Sequence, residues 1–409
     1  MAKEYKDLVV GLDIGTSKVM VVVAEVLAGG ELKLAGLGIA ASNGLKRGVV
    51  VNIDATVQSI QQALKEAELM ADCKIARVYT GITGSHIRGI NSSGMVAIKD
   101  KEVTQADVSR VIETAKAINI STDQRLLLVE AQEFVIDGHD VREPIGMSGI
   151  RLEAKVHIVT GAQSAAENII KCVRRCGLEV DQLMLNPLAS SMAVLTQDER
   201  DLGVALVDIG AGTTDVAIFA GGAIRYTAVI PIAGDLITSD IAMALRTPTK
   251  DAEDIKVMSG YAKQLLADPN AQVEVPGLGD RSPRMLSQQA LAGVIEPRVE
   301  EIFVLVQQAI RESGYEEVLS SGIVITGGSA VMPGMVELGE DIFLKPVRRG
   351  LPRYNSALSD MVAQARAATV MGLLEEARFA RIRGYKVSQK AGSMHTALGR
   401  MKDWFVGNF

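Results

Sequence analysis

The feature that most restricts this chain is a pattern that occurs twice. Residues 8–26 read LVVGLDIGTSKVMVVVAEV, and residues 202–222 read LGVALVDIGAGTTDVAIFAGG. Each is an apolar, β-branched run, then Asp-Ile-Gly, then a small, hydroxyl-rich turn, then a second apolar run. That predicts a β-hairpin with a Gly/Ser/Thr turn in each copy. Asp13 and Asp208 hold the same place in the two, 195 positions apart. Glycine lets backbone N–H groups come close to an anion, and consecutive amides form an anion-binding hollow to which hydroxyls add donors. A carboxylate repels phosphate, so an Asp in such a turn makes sense when a divalent cation lies between them. One hairpin of this kind is common in purely structural settings. Two at corresponding positions predict turns that close on a polyphosphate from both sides.

The 409 residues exceed one ordinary domain, so two or more cores are expected. A formal charge of −6 argues against a general nucleic-acid binder, which needs a net basic face. Cys73, Cys172 and Cys176 have no second Cys or His pair beside them, which predicts buried thiols in a reducing compartment. With neither a signal peptide nor a run of about twenty apolar residues, a cytosolic protein is expected.

Between the hairpins, a strand over 31–38 precedes a helix over 55–71 with Asp54 as its N-cap, and a strand over 76–84 follows. Residues 85–160 change character: a strand, a helix starting at a Thr104 cap and two further strands, with nothing resembling a phosphate site. A helix over 163–176 ends at Gly177, and NPLASSMAVL (186–195) opens another with Pro187 at its first position. After the second hairpin come a strand over 224–230, a helix from Gly234 to Leu245 and a helical pattern over 249–267. A loop over 272–284 precedes a long helical stretch over 286–313, interrupted or restarted at Pro297. A buried strand then leads into Gly327, Gly328 and Ser329, and a last helix spans 359–378.

Five motifs in this order resemble the actin-like ATPase superfamily: GLDIGTSK (11–18), NPLAS (186–190), DIGAGTTD (208–215), ITGGSA (325–330) and AATVMGLL (367–374). Within it, RGVVVNID (47–54), GITGSHIRGINSSGMVAI (81–98), AGDLITSDIA (233–242) and VIEPRVEEI (294–302) resemble the FtsA family of bacterial cell-division proteins. The resemblance implies an α/β, actin-like two-lobed fold of duplicated ribonuclease H-like sheets. Its subdomains would be 1–84 with 161–199, the FtsA-type insert 85–160, 200–245 with 314–380, and a smaller subdomain 246–313.

It also implies ATP and Mg²⁺ as ligands. Lys18 should reach the β- or γ-phosphate as a point charge. Asp13 and Asp208 should orient hydrated magnesium. Gly15, Thr16, Ser17, Gly210, Gly212, Thr213 and Thr214 should supply donors, with Asp215 orienting the second loop and Gly234 near the phosphates. Glu253 and Lys256 should hold the ribose and base edge, with Gly327, Gly328 and Ser329 at the adenine. Where many relatives place Glu or Gln to orient the attacking water, this chain has Asn186, a shorter and weaker candidate, so hydrolysis is expected to be slow or negligible.

The C-terminal end carries two further expectations. Residues 381–395 read as a basic, flexible linker. In 396–409, Leu398, Met401, Trp404, Phe405 and Phe409, with Met394 just before, fall within an arc of about 140° at 100° per residue. That predicts an amphipathic helix lying on anionic lipid, peripheral on the inner face of the cytoplasmic membrane at the division site. One short helix binds weakly, so self-assembly into a filament would supply avidity. The resemblance implies two more partners: the C-terminal peptide of the tubulin-like protein FtsZ, with Arg284 and Arg298 as contacts, and other divisome proteins on 85–160. A small-molecule kinase of the same superfamily is the rival reading, and no substrate motif for it is visible.

Overall fold

The computed structural model describes residues 7–279, 281–354 and 359–383. Two five-stranded sheets organise it, and they have the same topology. The first runs Glu179–Leu185, Arg77–Ile82, Leu8–Ile14, Lys18–Val26, Leu32–Ala41; the second runs Val347–Arg349, Ile323–Thr326, Val204–Ile209, Thr214–Ala220, Ala223–Ile230. In each, the chain makes two antiparallel hairpin steps and then adds two parallel strands on the other side of its first strand. Both hairpins are buried almost throughout, because helices cover both faces; their sequences are therefore continuous apolar runs rather than alternating ones.

Helices Asn186–Val194 and Ala368–Ile382 lie between the sheets. Their apolar faces (Ala189, Val194, Val370, Leu374) form one core with Val9 and Met20 of the first sheet and with Leu206 and Phe219 of the second. They are the NPLAS and AATVMGLL segments, so the hinge of the two-lobed architecture is itself packed core. Helices Ile53–Ala71 and Gln163–Arg175 cover the outer face of the first sheet, and Gly234–Leu245 and Gln288–Ser313 that of the second.

The insert is a separate antiparallel sheet, in the order Arg88–Ala97, Arg151–Ala162, Gln124–Ile136, His139–Val141. Helix Gln105–Ala115, started by a Thr104–Asp107 capping box, closes its own small core. This sheet docks on the second lobe through polar side chains. Gln132 Nε2 donates to the Ile224 carbonyl at 2.9 Å, and His157 Nε2 lies 3.0 Å from Thr227 Oγ1. Glu133 meets Arg225 at 2.6 Å. Burial pushes the His157 imidazole down to about 4.

Several sequence expectations need correction. The helix over 53–71 is capped by Asn52, whose Oδ1 accepts the Ala55 N–H at 3.1 Å, not by Asp54, which lies in its first turn. The stretch 272–284 is not a plain loop: Gln272–Val275 and Arg284–Ser287 pair as a short hairpin. Gln288–Ser313 runs unbroken through Pro297, because Leu291, Ile295, Val299 and Ile302 around it are fully buried, and that packing outweighs the roughly 3 kcal/mol a helical proline costs. The last helix is split into Ser359–Val362, a 3₁₀ turn Ala365–Ala367 and Ala368–Ile382. Gln364 is extended there, and the Ala365 carbonyl accepts the Gly327 N–H at 3.3 Å. Arg381 belongs to that helix rather than to a linker and pairs with Asp7 at 3.2 Å.

Candidate functional site

The two hairpins share the same backbone hydrogen bond at their turns. Gly15 N–H donates to the Lys18 carbonyl over 2.9 Å, and Gly210 N–H donates to the Thr213 carbonyl over 2.9 Å. Asp13 pairs across its hairpin with Met20, and Asp208 with Asp215. The turns also meet each other. A Cβ on Gly212 would stand 2.6 Å from Thr16 Oγ1 and 2.8 Å from the Arg47 Cα, so only glycine permits the approach.

In the first turn, Lys18 Nζ lies 3.3 Å from Asp13 Oδ2, and Ser17 is exposed. In the second lobe, Asp208 Oδ2 accepts Ser190 Oγ at 2.5 Å and Thr369 Oγ1 at 3.4 Å, one hydroxyl from each hinge helix. Burial, and then the charge of Asp13, pushes the Asp208 carboxyl up to about 6 against those bonds and the pull of Lys18. A cation relieves two like charges crowded in a buried place, and magnesium arriving on phosphates needs few carboxylates. Asp13 and Asp208 fit that demand. Among the described residues no cluster of three or more His, Cys, Asp or Glu could hold a metal by itself.

Asp215 bonds across the cleft to Thr83 of the first lobe and accepts Thr213 Oγ1 at 3.1 Å. Burial, and then the charge of Asp208, pushes it up to about 7. Thr214, expected to offer its hydroxyl, instead donates to the Ile232 carbonyl at 2.7 Å and is fully buried.

On the other side of the second turn, Gly234, Glu253, Lys256 and Ser329 converge. Lys256 Nζ reaches Glu253 at 2.6 Å, Thr238 Oγ1 at 2.8 Å and the Gly234 carbonyl at 3.2 Å; Thr238 also bonds Glu253. Ser329 Oγ donates to the Gly210 carbonyl at 2.8 Å. Gly327 lies against Asp208, and Gly328 opens the 3₁₀ turn Ser329–Val331. The helix Gly234–Leu245 has no side-chain cap; its Gly234 and Asp235 amides donate to the Gly210 and Ala211 carbonyls and so tie down the turn. Asn186 begins its helix against Gly81, and its buried Oδ1 has no hydrogen-bond partner among the described residues.

Arg284 and Arg298 do not face these turns. Arg284 donates to the Leu245 carbonyl at 2.8 Å. Arg298 grips Asp240 of the helix Gly234–Leu245 at 2.5 and 3.0 Å and also pairs with Glu301 of its own helix. Leu398, Met401, Trp404, Phe405 and Phe409 lie outside the described residues, as does most of 381–395. No helix among the described residues is long and apolar enough to cross a membrane.

Sequence reasoning assigned no role to Thr83, Ser190 or Thr369. All three stood inside quoted motifs, and for the last two a hydroxyl in each hinge helix opposite a buried Asp was the available signal. Nothing local marked the partner of Thr83, which is 132 positions away.

The arrangement brings two glycine-containing turns together, with one lysine and two carboxylates at them and the polar cluster of Thr238, Glu253, Lys256 and Ser329 beside them. Proteins of known structure share its frame. The chain is similar to the PilM–PilN type IV pilus biogenesis complex (TM-score 0.62, 17% identity, 94% of this chain and 100% of that one). It is also similar to MreB5 of Spiroplasma citri bound to ADP (0.56, 16%, 93% and 99%) and to the MamK double helical filament (0.52, 12%, 90% and 99%). The fold is thus actin-like. The family model "Cell division protein FtsA" matches residues 205–372, and "SHS2 domain inserted in FTSA" matches 84–160. The cell division protein FtsA of Pseudomonas aeruginosa is 54% identical over 409 residues, covering 98% of each chain. That of Neisseria meningitidis is 50% identical over 406, covering 97% of this chain and 98% of its own. Likeness at that level along nearly the whole length, on an actin-like frame carrying the inserted domain, places the chain in the FtsA family of cell-division proteins.

Proposed function

We propose that this chain binds Mg-ATP between its two matched turns and works as a nucleotide-dependent membrane tether in division. It polymerises on the inner face of the cytoplasmic membrane, links FtsZ filaments to it through the C-terminal segment 396–409, and recruits later division proteins through 85–160. The observation that carries the nucleotide reading is the meeting of the turns at Gly212 and Thr16, with Asp13, Lys18 and Asp208 beside them. In this reading Lys18 leaves Asp13 for a phosphate, and Asp13 and Asp208 hold the magnesium, which offsets phosphate charge. Glu253 and Lys256 contact the ribose and base edge, and Gly327, Gly328 and Ser329 the adenine. MreB5 bound to ADP and to AMPPNP, proteins of the same fold, support a nucleotide in this cleft, and the MamK filament supports self-assembly.

Hydrolysis is slow because Asn186 stands where a longer side chain would hold a water in line with the γ-phosphorus. Single-turnover measurement should give far less than about 1 s⁻¹, an ordinary enzyme rate; turnover near that value sinks the structural-ligand reading. Calorimetric titration with Mg-ATP should show one site. Deletion of 396–409 should release the protein from anionic vesicles, and unchanged co-sedimentation removes the tether. For the FtsZ peptide, Arg284 is the more exposed of the two arginines, whereas Arg298 must share or exchange its grip on Asp240 and Glu301. Charge reversal at either arginine that leaves peptide affinity unchanged excludes it as a contact.

A further inference from the structure

The motif RGVVVNID opens with a residue that the site described so far does not use. Leu45–Lys46 and Val49–Val50 pair as a minimal hairpin whose two turn residues are Arg47 and Gly48. Both have positive φ, +50° and +77°, as a type I′ turn demands. Asn and Gly are the favoured residues there. An arginine in the left-handed region is unusual and calls for an explanation.

This turn lies where the two lobes meet. The Gly48 N–H donates to Thr16 Oγ1 of the first phosphate-type turn at 3.1 Å. The Arg47 backbone touches Gly212 of the second: a Cβ there would be 2.8 Å from Arg47 Cα and 3.0 Å from its nitrogen. Gly48 also packs on Thr83, which bonds Asp215 across the cleft. The tip thus touches both turns and the residue that joins the lobes. The Arg47 side chain is exposed and, among the described residues, has no hydrogen bond or ion pair, whereas Lys18 and Lys256 are both paired with carboxylates.

We propose that Arg47 reads the terminal phosphate of the bound nucleotide, so that the hairpin tip distinguishes a nucleoside triphosphate from a diphosphate and reports the difference to the contact between the lobes. This rests on the nucleotide reading above. A guanidinium is a planar fork suited to a phosphate carrying a dianionic charge, and it keeps its charge at every physiological pH. Rooted against Gly212, it enters from the side on which the two turns converge. Loss of the terminal phosphate leaves it without a partner, and the tip that touches Thr16, Gly212 and Thr83 then has less to hold it in the cleft.

The test is the affinity of the full chain for ATP and for ADP, each with magnesium, by calorimetry. Arg47→Gly is the informative variant, since glycine accepts the positive φ and removes only the side chain. We expect ATP to bind roughly 10- to 100-fold more weakly and ADP to change less than about threefold, the range of one charge-assisted contact. Arg47→Lys should restore part of the difference. Lys46→Ala removes a neighbouring exposed cation and should leave the ATP-to-ADP ratio unaltered. An equal loss for both nucleotides in Arg47→Gly overturns the proposal, because it marks a turn that merely shapes the site. An unchanged ratio overturns it too, as does an equal effect from Lys46→Ala, which would make the contribution one of diffuse charge. Wild-type protein that binds neither nucleotide refutes the nucleotide reading itself, a distinct outcome.

Discussion

The two hairpins share strand order, turn length and even the same turn hydrogen bond, yet their chemistry differs at equivalent places. Where the first has Lys18, the second has Thr213; where the first has Met20, the second has Asp215. The first copy therefore supplies a cation at the turn and an apolar strand behind it. The second has no cation there; its Thr213 and Thr214 hydroxyls donate internally, to Asp215 and to the Ile232 carbonyl, and its buried acid bonds across to Thr83. The turn backbone is the same in both copies while the side chains differ: one presents a lysine at its turn, and the other carries the bridge between lobes. The helices that follow differ in the same sense. In the first lobe the helix is capped by Asn52, whereas in the second the first helical amides hold the turn through Gly210 and Ala211.

This division can be broken in measurable ways. Lys18→Ala should weaken Mg-ATP by about 100-fold or more in calorimetry, since a charge-assisted phosphate contact is lost. Thr213→Ala should cost far less, and equal losses from the two variants would erase the asymmetry. Next in size is a pH effect confined to the second copy. The folded chain holds the Asp215 proton more tightly than the unfolded one, so this group's contribution to stability is complete below pH 3.8 and is lost as pH rises through about 7. Urea melts of the ligand-free protein should show Asp215→Asn gaining a few kcal/mol on the wild type between those limits. A constant difference across the range contradicts it. His157, held down to about 4, acts in the opposite direction, so the comparison with the variant is the proper readout, not the raw profile.

Thr83→Val removes the first lobe's side of the bridge and should destabilise by about 1 kcal/mol, with the acid left less satisfied. Asn52→Ala should also cost about 1 kcal/mol, while Asp54→Ala costs a few tenths. Both are read from chemical denaturation, and a larger effect at Asp54 would restore the cap assignment made from the sequence.

Hairpins, hinge helices and insert were legible because each rests on local patterns: buried β-branched runs, a Pro at a helix start, a Thr three residues before an Asp. Asp13 and Asp208 stood out because each turn is contiguous in the chain, whereas Lys18 drew its expected role from the family resemblance. The helix through Pro297 was not legible, since the core that holds it unbroken comes from the sheet and helices around it. The hairpin at 272–287 escaped because its strands are four residues each and stand apart by a Gly- and Pro-rich loop. Arg298 looked available as a surface cation, and only the fold brings Asp240, 58 positions away, into its grip.

By itself the sequence determined that two like units would each form a hairpin with a small, hydroxyl-rich turn, because backbone conformation at Gly, Ser and Thr is a local matter. How those turns face one another was decided by tertiary structure. So was the placing of Thr83 on Asp215, of Ser190 and Thr369 on Asp208, and of Arg47 against Gly212. Those contacts join residues tens to hundreds of positions apart, and their energies exist only once the two sheets have packed on the hinge helices between them.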